Sequence, residues 1–143
     1  MKREYPEVPL VGVGAIIVEA GRVALVKRGH PPLQGEWSIP GGAMEVGETV
    51  REAAAREALE ETGLTIATVE LLGVFDRLLR DELGRVRYHY LLVDFLCRKI
   101  DGELCAAGDA EDCRWFTLDE VDQLPLAADT AEVIRLGFER AQK

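Results

Sequence analysis

Glu57, Glu60 and Glu61 are the residues whose types and spacing most directly suggest chemistry. At i, i+3 and i+4 they share one face of any helix that contains them. The residues around them, rich in Ala, Arg, Glu and Leu, are good helix formers, and the acids fall in the C-terminal half of the segment. There the helix dipole disfavours each negative charge by about 0.3–1 kcal/mol, and like charges at neighbouring positions add about a few tenths more. A sequence shaped by stability alone would carry Lys or Arg at these places. A divalent cation among the carboxylates reverses the sign of the interaction, and an all-oxygen donor set favours Mg2+ or Mn2+ over zinc. Three glutamates taken alone also fit a plain solvated helix face.

The surrounding residues add to that reading. Thr49 is placed to cap a helix, with Glu52 completing a capping box, and Gly63 is placed to end it in the left-handed conformation. Pro40-Gly41-Gly42 and Gly47 read as turns ahead of it. Gly42, Glu48, Arg56, Glu57, Ala58, Glu60, Glu61, Gly63 and Leu64 spell G-x5-E-x7-R-E-U-x-E-E-x-G-U, where U is apolar. This run closely resembles the signature box of the Nudix hydrolases, and GEWSIPGG before it resembles the family's usual lead-in.

The resemblance implies an α/β fold, the Nudix α/β/α sandwich with a mixed β-sheet, and a pyrophosphohydrolase acting on phosphorus-containing acid anhydrides. The anhydride is protected by its negative oxygens, so hydrolysis needs charge neutralisation and an activated water, both within reach of a divalent ion. By the resemblance, Glu57, Glu60 and Glu61 ligate Mg2+ or Mn2+ together with the Gly41 carbonyl. Glu57 is the general base in some family members, and a loop outside the box supplies it in others. Arg56 beside a cation nest must be tied elsewhere, and a bidentate pair with Glu48 does this; the family pairs the two matching residues. Arg28, at the end of a strand, matches a phosphate-contacting position, although Lys27 and Arg28 also suit a solvated strand end. Asp109 matches a further metal-binding carboxylate, with Glu111 and Asp112 as weaker alternatives; Asp is equally at home in a turn. The substrate implied is a small nucleotide: a nucleoside diphosphate linked to another moiety, such as ADP-ribose or a nucleotide sugar. A nucleoside triphosphate, including oxidised dGTP, is the alternative. A nucleotide-binding Nudix sensor without activity would be expected to lack some box carboxylates, and here all are present.

The elements that must hold these residues follow from pattern. Residues 8–18 and 23–26 read as a β-hairpin, with Gly12 and Gly14 marking close approach by another segment. Residues 37–40 form a short strand into the signature loop. Ala55, Ala58 and Leu59 are expected to face the core from the helix. Residues 65–76 are β-prone, with Leu71, Leu72, Val74 and Phe75 as core candidates. Residues 79–85 read as a hairpin loop that could border substrate or a partner subunit, a possible homodimer contact. Residues 86–98 form a long, nearly apolar and therefore central strand. Residues 108–112 make an acidic loop before a short strand at 114–116. Thr117 caps a turn, and Asp129 or Thr130 caps a last helix with Ala131, Ile134 and Phe138 on its buried side.

A chain of 143 residues, 48% apolar and 30% charged, is expected to form one domain over residues 1–143. The net charge of −9 leaves no basic face for a nucleic acid polymer. No apolar run approaches the ~18–20 residues of a membrane span. The first ten residues lack the apolar stretch of a signal peptide, so the cytoplasm is the expected location. Cys97, Cys105 and Cys113 form no C-x-x-C pair and read as incidental thiols.

Overall fold

The computed structural model describes residues 2–29, 34–105 and 110–142. Strand β1 (Leu10–Glu19) turns at Ala20 and Gly21 into β2 (Arg22–Arg28). Both turn residues have positive φ, 51° and 75°, the primed geometry whose twist matches that of a hairpin. Strand β3 (Trp37–Ser38) pairs with β2 and is shorter than the expected 37–40 segment. Pro40-Gly41-Gly42, expected as a turn, instead runs into a strand: β4 (Gly41–Ala43) pairs antiparallel with Gly12, Val13 and Gly14. A Cβ on Gly41 would stand 2.1 Å from the Val13 carbonyl oxygen, so the two backbones meet this closely only through glycine.

Helix α1 (Val50–Thr62) has the capping box of Thr49 and Glu52, and Gly63 ends it with φ 75°. Two long strands, β5 (Thr65–Arg80) and β6 (Val86–Asp101), form an antiparallel pair. Strand β7 (Ala110–Thr117) begins earlier than the expected 114–116 and pairs with β2. Thr117 caps α2 (Leu118–Asp122) with a second capping box. Helix α3 (Ala128–Ala141) follows.

The sheet order is β3-β2-β1-β6-β5, with β4 also on β1 and β7 also on β2. β1 and β6 run parallel, and the other pairs are antiparallel. The sheet is mixed, and β6 is interior to it as expected. Alternation sorts its side chains onto two faces. Val13, Ala15 and Ile17 of β1 and Val93, Phe95 and Cys97 of β6 pack with Ala53, Ala54 and Ala58 of α1. Ile16, Val23, Leu25 and Phe116 pack with Val133, Ile134 and Phe138 of α3 on the other face. The result is the α/β/α sandwich. Among the described residues no helix is long and apolar enough to cross a membrane.

Core and cap expectations change at three places. Leu59 is 52% exposed, because α1 turns its alanines to the sheet and so lies close against it. Leu71 and Val74 pair with Phe95 and Val93, which puts them on the α1 face beyond the cover of the helix, 47% and 54% exposed. Ala127, without a side-chain cap, precedes α3; Asp129 and Thr130 lie inside the helix, where Arg77 bonds to both.

Helix α3 meets the sheet at Gly137, where a Cβ would come within 2.5 Å of Ile16 Cγ2. Ile16 is fully buried and stiff at χ1, so it cannot move aside. Gly137→Ala should lower the unfolding free energy by about 1–3 kcal/mol, even though alanine brings ~1 kcal/mol of helix propensity. Urea unfolding of the two proteins reads the difference.

Candidate active site

Helix α1 presents its acids to a cleft of about 310 Å³. Gly41, Glu57, Glu60, Glu61, Arg56 and Arg28 all line it. Strand β4 brings the Gly41 amide to Glu61, whose Oε1 accepts its hydrogen bond at 2.7 Å. Glu61 is only 7% exposed. A Cβ on Gly42 would lie 2.6 Å from the Glu57 carboxylate, so glycine is also what leaves room for that side chain.

Arg56 and Glu48 form the expected pair: Nε donates to Oε2 at 2.6 Å and Nη2 to Oε1 at 2.9 Å. Nη2 also donates to the Ala43 carbonyl at 3.1 Å, tying the helix to β4. The same guanidinium reaches further than the bidentate pair alone. Nη1 donates to Glu57 Oε1 at 2.8 Å and to the Glu60 carboxylate at 3.2 Å. The Glu48 hydrogen bond, more than any other contact, holds the Arg56 pKa above its ordinary value. It likewise lowers that of Glu48. Burial raises the proton affinity of Glu57, against the pull of Arg56.

Among the described residues no three His, Cys, Asp or Glu side chains converge at metal-ligand spacing. Arg56 draws Glu57 and Glu60 to itself, while Glu61 turns to the Gly41 amide. The donor set nevertheless fits a hard dication, since Glu57, Glu60, Glu61 and Gly41 all line one cleft and can offer oxygen. Burial lowers the Arg28 pKa from its ordinary value, with Glu61 acting in the opposite direction. Asp109 lies outside the described residues. Asp112 pairs with Arg114 at 2.9 Å, and neither it nor Glu111 is among the described lining residues.

The far end of the cleft was not anticipated from the sequence. Phe75, Tyr90, Leu92 and Val133 line it, with Asp94, Arg77, Asp129 and Thr130 among them. Arg77 Nη2 donates to both Asp129 oxygens, at 3.0 and 2.9 Å, and to Thr130 Oγ1 at 3.3 Å. This clamps β5 to the first turn of α3. Asp94 is 4% exposed. Burial raises its carboxyl to about 7, with Arg77 opposing and Asp129 adding to the rise. The available signal was a single acid inside the apolar run LLVDFLC.

The family model for the NUDIX domain matches residues 8–137. The ADP-ribose pyrophosphatase of Methanocaldococcus jannaschii is 39% identical over 127 residues, spanning 89% of this chain and 72% of that protein. Two further curated relatives are longer, and this chain spans 65% and 64% of their length. The crystal structure of a MutT NUDIX hydrolase from Burkholderia pseudomallei superposes with a TM-score of 0.76 at 35% identity, covering 91% of this chain and 98% of the other. The NUDIX domain of Shewanella oneidensis NrtR, crystallised with ADP ribose, gives 0.74 at 25% identity, covering 95% and 90%.

Asp94 makes stability depend on pH in a direction opposite to that of a salt-bridged acid. Its proton is held more tightly folded, about 7 against 3.8, so its stabilising contribution is complete below about 4 and is lost as pH rises through about 7. Across that window the unfolding free energy of the wild type minus that of Asp94→Asn should fall by ~3–4 kcal/mol. Denaturant titrations at several pH values measure it. A difference that stays flat, or rises, would contradict the assignment.

Proposed function

The chain belongs to the Nudix family, hydrolases that act on pyrophosphate bonds, and we propose that this member cleaves a nucleoside diphosphate linked to another moiety, an ADP-ribose-like compound or nucleotide sugar. The observation that carries this reading is that Glu57, Glu60, Glu61, Gly41 and Arg28 open on the same cleft as an apolar, partly aromatic far end. One end suits a dication and phosphates, the other a flat base. The 39% identity to an ADP-ribose pyrophosphatase supports the substrate class. Residues 1–143 are read as one such domain.

Glu57, Glu60 and Glu61 hold Mg2+ or Mn2+, joined by the Gly41 carbonyl. When bound, the cation neutralises charge on the anhydride oxygens and eases the deprotonation of water. Glu57 takes up the proton of the attacking water. A carboxylate of residues 108–112, Asp109 first among them, is the other source of a base or ligand. Arg28 donates to phosphate oxygens, a geometry that a guanidinium fits well. Arg56, anchored on Glu48 and Ala43, positions Glu57 and Glu60 and does not touch the reacting atoms.

Two copies of the chain are read as pairing through the uncovered α1 face of β5, where Leu71, Val74 and Leu78 stand exposed on an edge strand. Sedimentation of the wild type should give a dimer and Val74→Asp a monomer; a wild type monomeric at high concentration would remove this part of the reading.

Hydrolysis is tested on a panel of nucleotides with Mg2+, read by phosphate-containing products. ADP-ribose-like compounds should lead. Preference for triphosphates would favour the second reading, which the resemblance to a MutT hydrolase at 35% identity supports. Glu57→Gln and Glu61→Gln should each reduce turnover by ~10²-fold or more. Turnover equal to wild type in both variants would refute the assignment.

A further inference from the structure

Asp94 is the part of the cleft that the box does not account for. It pairs with Gly14 across the parallel β1–β6 ladder, and Leu92 pairs with Gly12, so these residues share one face of the sheet. Phe75 and Arg77 of β5, opposite Leu92 and Tyr90, join the same face. The carboxyl therefore lies in the cleft floor between apolar walls. A Cβ on Gly14 would stand 2.2 Å from Asp94 Oδ1, so glycine at 14 is a condition for the carboxyl being there.

The described residues leave this group without a hydrogen-bond donor. At 4% exposure it accepts no hydrogen bond from any described residue, and among the described residues no fully enclosed side-chain oxygen lacks a partner. Its small accessible part thus opens on the cleft that it lines. Arg77, the cation that lowers its proton affinity, directs its own Nη2 to Asp129 and Thr130 instead. A carboxyl this confined, with no donor from the described residues, is less favourable than one in open water, and an aliphatic residue, as at Leu92 and Val93, would avoid the cost. The arrangement becomes favourable when a ligand supplies a donor. Apolar walls around one convergent polar group make a pocket that fixes the orientation of a flat ligand.

We propose that Asp94 is the base-reading residue of the cleft, its carboxyl oxygen accepting a hydrogen bond from an N–H of the substrate's nucleobase, the amino group of adenine in an ADP-linked substrate. The identity of the ligand rests on the nucleotide reading above; the choice of residue rests on the cleft geometry.

Binding without turnover tests the assignment. Calorimetry compares adenosine 5′-monophosphate with purine riboside 5′-monophosphate, which lacks the amino group. The wild type should bind the first at least tenfold more tightly, because losing the donor leaves a buried acceptor unpaired. Asp94→Ala should bind both alike. Asp94→Asn, whose amide oxygen still accepts, should keep the discrimination. Asp94→Leu, close in size and without an acceptor, repeats the comparison if the alanine variant does not fold, as judged by its melting curve. With ADP-ribose as substrate, Asp94→Leu should raise KM more than tenfold while kcat changes far less. Discrimination retained in a folded Asp94→Ala or Asp94→Leu protein, or absent from the wild type, overturns the proposal. If the monophosphates behave as stated but no diphosphate-linked compound is hydrolysed, the substrate reading fails and the role of Asp94 stands.

Discussion

The guanidinium of Arg56 has five N–H bonds to direct, and all five have acceptors. Nε and Nη2 meet Glu48 and the Ala43 carbonyl, while Nη1 is shared between Glu57 and Glu60. A row of carboxylates at helical spacing repels itself, and this cation offsets the repulsion from within the helix. Its attachment to Glu48 and Ala43 also fixes the loop and β4 relative to α1. A lysine has the charge but only a point-like head with three donors, so it could not serve the loop, the strand and the acidic face at once. The arrangement of the cleft follows from that one planar group.

The second condition is how closely backbones approach beneath the acids. β4 lies against β1 at a separation that excludes a Cβ on Gly41, and α1 lies over β4 so that a Cβ on Gly42 would strike Glu57. Ala53, Ala54 and Ala58 are fully buried beneath the helix, so small side chains continue the close approach on its other side. Without this compression the Gly41 amide would not reach Glu61. Glycines and alanines here set distances, much as larger residues elsewhere fill volume.

Local chemistry was readable from the sequence; long-range choices were not. Thr49, Glu52 and Gly63 act within one or two turns of the chain, and they cap α1 as their types require. Glu48 and Arg56 stand eight residues apart on adjoining elements, and pair as charge demanded. β4 was hidden because Gly41 and Gly42 carry no β-branched or aromatic signal, and their strand forms only because β1 accepts them. Leu59 looked like core by size, yet close packing selected the alanines. Asp129 had the composition of a cap, but Arg77 from a distant strand claimed it. Asp94 was visible in an apolar run, while the residue that makes room for it, Gly14, lies on another strand, and that pairing is a fact of topology.

The two ends of the cleft impose different electrostatic demands, and on the proposed function these orient the nucleotide. The glutamate end gathers three carboxyl side chains that a cation would reconcile with phosphate, and Arg28 lines the same cleft. The far end offers Asp94, whose burial favours the neutral form, and the Arg77–Asp129 pair, already compensated. Phosphates placed beside Asp94 would meet a buried carboxyl and an already paired Arg77 among apolar walls, and lose their hydration. A base placed among the glutamates would find ionised groups and no flat apolar surface. In the proposed reading, the orientation with phosphates at α1 and base at β6 is selected by desolvation as much as by attraction.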